Sequence, residues 1–488
     1  MQVHLAVDLG AESGRVISVW TDGGKVSFRE LHRFSHLPVK LPTGLHWNIT
    51  QIWQEIVNGL QLAATWAQDN RHEVVSVGVD TWGVDWCLVD RRGELIGLPH
   101  AYRDPRNFQY YEEAVKRLGV ERIYQTTGIQ MMALNTLYSL FATASLDPAL
   151  PRAASKLMFI PDLFHFWLSG EMAVERTIAS TSQMINAKTG TWAGDLLDEL
   201  AIPRHLLGDI VPSGTVLGKL RRELAHLTGL PESVQVITPG SHDTASAVAA
   251  VPADGSRDWC YLSSGTWSLL GCELEGSLTN AAAQEAMFTN ESGIGQTVRF
   301  LKNLAGLWLV QECRRAWASR GEHHDYQELT RLAKQARPSQ TVLDTNWPDF
   351  QIPGDMPEKI ARYARESGQP VPDSPGAFVR SALESLAIAY RSTLDRLEKT
   401  TGRAFRKIHI VGGGGQNELL NQLTADYTGR TVIVGPYEAT AIGNGLVQAM
   451  ALGHVNDLSD MRRVIREGIH ELKVYQPSAT SSEKSKVV

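Results

Sequence analysis

Apolar and polar positions alternate from the first residues of the chain. Val3, Leu5, Val7 and Leu9 recur at period two, which predicts a strand. Gly10 to Gly14 supplies small turn residues and Val16 to Trp20 reads as a returning strand, so the chain opens on a β-hairpin. The design recurs about half a chain later, as Trp259 to Leu262, the turn Ser263-Ser264-Gly265-Thr266, and Trp267 to Leu270. That spacing predicts a duplicated, two-domain architecture. Between the hairpins, Val74 to Val79 and Cys87 to Val89 are strand-like and flank the turn Asp80-Thr81-Trp82-Gly83-Val84-Asp85. Val234 to Ile237 leads through Thr238-Pro239-Gly240-Ser241 into His242-Asp243, and Thr244 to Val251 reads as a helix with Asp243 at its start.

The period changes in the second half. Val379, Leu383, Leu386, Tyr390, Leu394 and Leu397 fall on one helical face, and Gly402 closes that helix. Ile408 to Val411 is a strand that ends in Gly412-Gly413-Gly414-Gly415, with a helix expected from about Gln416. Val432 to Val434 is a short strand and Ala439 to Ala451 a helix. Alternating strands and helices predict an α/β fold with a mainly parallel sheet. Pro338 to Pro375 is expected to run over the surface, and Pro477 to Val488 to be a frayed polar tail.

Composition narrows the function classes. The 488 residues leave room for two or three domains, and 43% apolar with 20% charged residues is ordinary globular composition. The 47 basic and 53 acidic side chains give a net charge of −6, no electrostatic reason to bind nucleic acid or an anionic membrane. No stretch approaches the roughly 18 apolar residues of a membrane helix. Met1 to Arg15 lacks the basic start of a secretory signal. The four cysteines form no CxxC pair, which argues for reduced thiols and a cytoplasmic protein.

Four segments carry candidate chemistry. In Asp8-Leu9-Gly10-Ala11-Glu12-Ser13-Gly14-Arg15, backbone amides and the Ser13 hydroxyl can wrap a phosphate, with Arg15 as a fixed positive charge. Asp8 stands on an otherwise apolar strand, where water-mediated Mg²⁺ binding or solvent exposure at an edge would account for it. Ser263 to Thr266 suits a second phosphate clamp or a plain hairpin turn. Gly412 to Gly415 completes neither GxGxxG nor a P-loop, yet permits close backbone approach to a ligand as readily as a structural turn. In Gly240-Ser241-His242-Asp243-Thr244, Asp243 is either a helix cap or the proton acceptor of a substrate hydroxyl. A helix N-terminus is expected to keep that carboxylate ionised. Trp82 is a sugar platform or a packed core ring.

Taken in order, Asp8-Leu9-Gly10-x-x-Ser13-x-Arg15, Ser264-Gly265-Thr266 and Gly412-Gly413-Gly414 resemble the FGGY carbohydrate kinases. Supporting stretches are Val79 to Asp85, Ala101-Tyr102-Arg103-Asp104, Ser241 to Ser246, Leu301-Lys302-Asn303 and Gly306-Leu307-Trp308. The resemblance runs from about Val3 to about Gly453. It implies two actin-like, ribonuclease-H-like ATPase domains with a central cleft: an N-terminal domain over 1–244, a C-terminal domain over 245–455, and an extension with a polar tail over 456–488. It also implies ATP contacts at Ala11, Glu12, Ser13, Gly14, Arg15, Thr266, Gln311 and Gly413. Sugar contacts are implied at Gly83, His242, Asp243, Thr244 and Asn303, with Asp243 as catalytic base and Asp8 on Mg²⁺ through water. The finer likeness is to family members that phosphorylate L-rhamnulose at the 1-hydroxyl in L-rhamnose catabolism.

The implied partners are therefore ATP and L-rhamnulose, with no nucleic acid or membrane, in a monomer or small homo-oligomer. Another ketose such as L-fuculose is an alternative acceptor. A non-metabolic actin-like ATPase switch is an alternative of a different class, one that would not need a sugar-facing His242-Asp243. Ala316 to Pro375 and the four cysteines carry no role from the resemblance.

Overall fold

A computed structural model describes residues 1–469 and 472–478. The expected frayed tail therefore falls, from residue 479 onward, outside the described residues. Compactness divides the chain into two units. The first gathers Met1–Asp254, Glu273–Phe300 and the helical segment from Ala439; the second gathers Gly255–Cys272, Leu301–Glu438 and the strand Lys473–Tyr475. This division differs from a linear boundary at 244/245: the first unit runs on to Asp254 and takes back Glu273–Phe300 and the helix Ala439–Ala451.

The first unit is built on a six-stranded sheet in the order Val216–Lys219, Gln235–Ile237, Glu73–Thr81, Gln2–Leu9, Ser13–Asp22, Lys25–Ser35. Gln2–Leu9 pairs antiparallel with Ser13–Asp22 and parallel with Glu73–Thr81. The alternation at Val3 to Leu9 suggests one buried face, yet Ala6 and Asp8 between them are buried too. The central strand is covered on both faces, as expected where helices flank a sheet. Ile52, Ile56 and Leu60 of the helix Ile49–Asp69 pack into the same core as Val3, Leu5, Val7 and Leu9. The residues between the parallel strands fold into a second cluster around Tyr138, Phe141, Phe159 and Leu196.

The second unit repeats the plan. In the seven-stranded sheet, Thr289–Ser292, Val298–Ala305, Trp267–Leu274, Trp259–Ser264, Lys407–Val411, Thr431–Val434 and Lys473–Tyr475 follow in order. The hairpin strands are antiparallel, and Trp259–Ser264, Lys407–Val411 and Thr431–Val434 run parallel. Each sheet thus has a hairpin, then two parallel strands, then an antiparallel edge. The duplication read from the hairpins is a duplication of topology.

The amphipathic helix spans Pro375–Thr401. Ser374 caps its start by accepting from the Ala377 amide, and Gly402, in the left-handed region, ends it. The Pro338 to Pro375 stretch is not simply a surface loop. It contains the helix Met356–Glu366, begun by Asp355, whose Met356, Ile360, Ala361 and Ala364 are buried. Prolines on either side hid a helical repeat of only eleven residues.

Candidate functional site

In the first unit the phosphate-loop candidates sit at the end of the central hairpin. The Gly10 amide donates to the Ser13 carbonyl at 2.9 Å and closes the turn. Ala11, Glu12, Ser13 and Arg15 are partly exposed around it, and Gly14 is buried. Asp8 and Arg15 are cross-strand partners and form an ion pair, so Asp8 is a buried, compensated carboxylate and not an exposed edge residue.

The parallel register sets Asp80 beside Asp8. Asp80 therefore belongs to the strand Glu73–Thr81 and not to the turn that the composition suggested. It is fully buried, and its Oδ2 accepts from Asn444 Nδ2 at 2.6 Å while Oδ1 has no hydrogen-bond partner. Burial pushes its carboxyl well above the ordinary range, and the nearby charges of Asp8 and Asp243 add to the rise. Asn444 is itself held by Gln448, whose amide also donates to the Leu5 carbonyl at 3.0 Å.

The Gly240 to Thr244 loop joins this strand end, with the Thr81 amide donating to the Ser241 carbonyl at 2.9 Å. Glu175 anchors the loop from below by accepting from the Ser241 amide at 3.3 Å and from the Thr177 amide at 2.8 Å. The Thr177 hydroxyl in turn accepts from the His242 amide at 3.1 Å.

The helix Asp243–Ala249 is seven residues long, with His242 in the cap position. Asp243 Oδ1 accepts from the Thr244 amide at 2.5 Å and the Thr244 hydroxyl at 3.1 Å, and lies 3.4 Å from His242 Nε2. These contacts fall on Oδ1, leaving Oδ2 outside them. The expectation that a helix start keeps Asp243 readily ionised is reversed. Burial raises its carboxyl, His242 opposes that, and the Asp8 charge adds to it. The side chain keeps 30% of its exposure, so solvent tempers the shift.

Gly83 lies against the same loop, where a Cβ would stand 3.3 Å from His242 Nε2. Trp82 does not offer an open platform. Its ring is 5% exposed, stacks obliquely on Trp47 at 4.2 Å, and donates its indole hydrogen to Asp85 Oδ2 at 2.8 Å. Trp47 donates to the same oxygen at 2.6 Å.

In the second unit the candidates gather at the other hairpin tip. The Gly265 amide donates to the Trp267 carbonyl, and the Leu307 amide donates to the Gly265 carbonyl, both at 2.9 Å. This places the start of the helix Trp308–Ser319, with Gln311 in its first turn, against the tip that carries Thr266. Gln311 Oε1 is buried with no hydrogen-bond partner. The glycine run packs on the same tip, because a Cβ on Gly414 would come 2.2 Å from Ser264 Oγ. Gly413 differs: it is exposed, and a Cβ there would meet nothing within 4 Å. The helix expected from about Gln416 is Glu418–Thr428, capped by Asn417. Asn303 lies on Val298–Ala305, partly exposed.

The family model for the N-terminal domain of the FGGY carbohydrate kinases matches residues 3–250, and that for the C-terminal domain matches residues 260–452. The chain belongs to the FGGY family of carbohydrate kinases. Among its curated relatives, the rhamnulokinase of Bacteroides thetaiotaomicron is 39% identical over 98% of this chain and 96% of the relative. The rhamnulokinase of Oceanobacillus iheyensis is 38% identical over 99% of both. Two solved structures share the fold at low identity. A ligand-bound xylulose kinase from Lactobacillus acidophilus has TM-score 0.79 at 15% identity, covering 100% of this chain and 96% of that one. A Plasmodium falciparum glycerol kinase with ADP has TM-score 0.77 at 14% identity and the same coverage.

The protein is a carbohydrate kinase with the family's two-domain α/β fold, and the actin-like switch is set aside. No helix among the described residues is long and apolar enough to cross a membrane. Glu175, Glu291, Arg299 and Asn444 went unread as site residues. The local signal for Arg299 was a charge between Val298 and Phe300 on a strand. Asn444 had none, since its target lies 364 residues away.

Proposed function

We propose that this kinase transfers the γ-phosphoryl group of ATP to the 1-hydroxyl of L-rhamnulose, giving L-rhamnulose 1-phosphate and ADP. The chemistry is carried by one observation, the grouping of Asp8, Asp80 and Asp243 at the strand ends beside the His242 loop. The choice of ketose is supported by the near full-length likeness to curated rhamnulokinases.

Asp243 is the base. Its Oδ2 accepts the hydroxyl proton as the sugar oxygen attacks, and a carboxyl whose pKa burial raises receives that proton more readily than an ordinary one. Phosphoryl transfer passes through a loose transition state, so orientation and charge placement matter more than early deprotonation. His242, Thr244, Gly83 and Asn303 hold the ketose. The turn Ala11 to Arg15, with Thr266, Gln311 and Gly413, binds ATP; open space over Gly413 and the unpartnered Gln311 oxygen suit that role.

The acidic group fits Mg²⁺. Asp80 Oδ1 is a buried oxygen without a partner beside Asp8, a hard donor set for a hard cation. Among the described residues no three acidic, His or Cys groups converge closely enough to enclose an ion alone, so Asp8 and Asp80 would hold it through water. When bound with ATP, Mg²⁺ would neutralise phosphate charge.

ADP release measured across a panel of ketoses, with the product position read by NMR, tests the proposal. L-rhamnulose should be turned over fastest and phosphorylated on its 1-oxygen. A clear preference for L-fuculose, or phosphate on another oxygen, would refute it.

A further inference from the structure

Behind His242, on the side away from Asp243, lies a buried charge pair that the reaction as described does not use. Arg299 has no exposed surface and Glu291 is 5% exposed. Arg299 Nε donates to the Ser292 carbonyl at 3.0 Å. Its Nη2 stands 3.1 Å from His242 Nδ1 and 3.1 Å from Glu291 Oε2, and Nδ1 stands 3.2 Å from the same oxygen. Burial works to raise the Glu291 carboxyl, but the Arg299 charge and the contacts with His242 outweigh it and hold it below its ordinary value. The pair is thus a buried cation and anion that cancel.

Nδ1 holds either a hydrogen or a lone pair, so it cannot both donate to Glu291 Oε2 and accept from Arg299 Nη2. Of the three edges of the triangle these atoms form, Arg299 to His242 is aligned as a hydrogen bond, and Glu291 Oε2 is left without one. A guanidinium only donates. Where Arg299 donates along that edge, Nδ1 is the acceptor, and a neutral imidazole that accepts at Nδ1 carries its hydrogen on Nε2. Nε2 faces Asp243 Oδ1 at 3.4 Å. With the hydrogen on Nδ1 instead, the Nε2 lone pair would oppose the carboxylate.

We propose that Arg299 is a positioning residue for the transfer, fixing the His242 ring with its hydrogen on Nε2 so that this hydrogen is presented to Asp243 and the acceptor sugar. Two restraints define the residue: the His242 amide bonded to Thr177 and the ring bonded to Arg299. The effect on catalysis rests on the reading of Asp243 and the sugar site given above. The state of the ring does not.

The test is a long-range ¹H–¹⁵N spectrum of ¹⁵N-histidine-labelled full-length protein at pH 8, with His242→Gln used for assignment. The wild type should show the Nε2–H pattern, and Glu291→Gln, which leaves Arg299 in place, should keep it. Arg299→Met should release Nδ1 and move hydrogen onto it. That variant should lower kcat/KM for the ketose about 10–100-fold with KM for ATP nearly unchanged, and Arg299→Lys should recover part of the loss. An Nδ1–H pattern or a doubly protonated ring in the wild type would overturn the proposal, as would a Glu291→Gln variant that relocates the hydrogen. If Arg299→Met does not fold, the wild-type and Glu291→Gln spectra decide alone. A wild type with hydrogen on Nε2 that ignores L-rhamnulose would uphold Arg299's hold on the ring and remove the substrate assignment.

Discussion

Asp85 is a buried carboxyl whose acidity is written into the stability of the turn that carries Trp82. Its environment raises the pKa from 3.8 to about 7; burial is the main cause, and the indole hydrogens of Trp47 and Trp82 resist it. In the unfolded chain Asp85 loses its proton near pH 4, whereas in the fold it keeps the proton to about 7. The folded state binds more protons throughout that window, so stability falls as pH rises through it, and the loss is complete above about 7. At about 1.4 kcal/mol per unit, the cost at pH 8 is on the order of 4 kcal/mol. Asp85→Asn has the same shape, still offers one oxygen to both indoles, and cannot ionise. It should start below the wild type near pH 4 by the lost Tyr102 amide bond, about 1 kcal/mol, then gain steadily above and overtake it, with an unfolding midpoint several degrees higher at pH 8. Thermal melts of both proteins at matched scan rates from pH 4 to 8 measure the difference. A gap that does not widen with pH, or a variant less stable at pH 8, would show that Asp85 is ionised in the fold at little cost.

Asp243→Asn keeps an oxygen to accept from the Thr244 amide, so the loop should stay folded while kcat falls about 10²–10⁴-fold and ATP affinity persists. Single-turnover kinetics and nucleotide titration check this, and near-normal turnover would remove Asp243 from the chemistry. Gly414→Ala drives a Cβ into Ser264 and should cost roughly 1–3 kcal/mol of stability in urea unfolding, together with a raised KM for ATP. Chelation of divalent metal should abolish ketose phosphorylation and added Mg²⁺ should restore it; full activity in chelator would leave Asp8 and Asp80 without their proposed role.

Much of the plan was readable because it is local. The two hairpins announce themselves through short alternating runs around Gly10 to Gly14 and Ser263 to Thr266, and the helix Pro375–Thr401 through its apolar stripe and terminal glycine. The His242-Asp243 step stood out for the same reason. The stretch Asp80 to Asp85 was harder, since its turn-forming composition hid that Asp80 ends a buried strand. Trp82 could be drawn either way until the indole was found bonded to Asp85. Arg299 and Asn444 were silent for a different reason. Their meaning lies in partners 57 and 364 residues away, and no periodicity spans that distance.

The return of Ala439–Ala451 to the first unit has a consequence for biosynthesis. The strand Gln2–Leu9 is made about 435 residues before Asn444 and Gln448, whose amides bond to Asp80 and to the Leu5 carbonyl. At about 5–20 residues per second, the nascent sheet waits roughly 10–40 seconds after residue 254 for the helix that seals one face. Ribosome-bound chains that stop short of residue 439 would carry an uncovered apolar surface, a natural target for holding chaperones until the missing helix arrives.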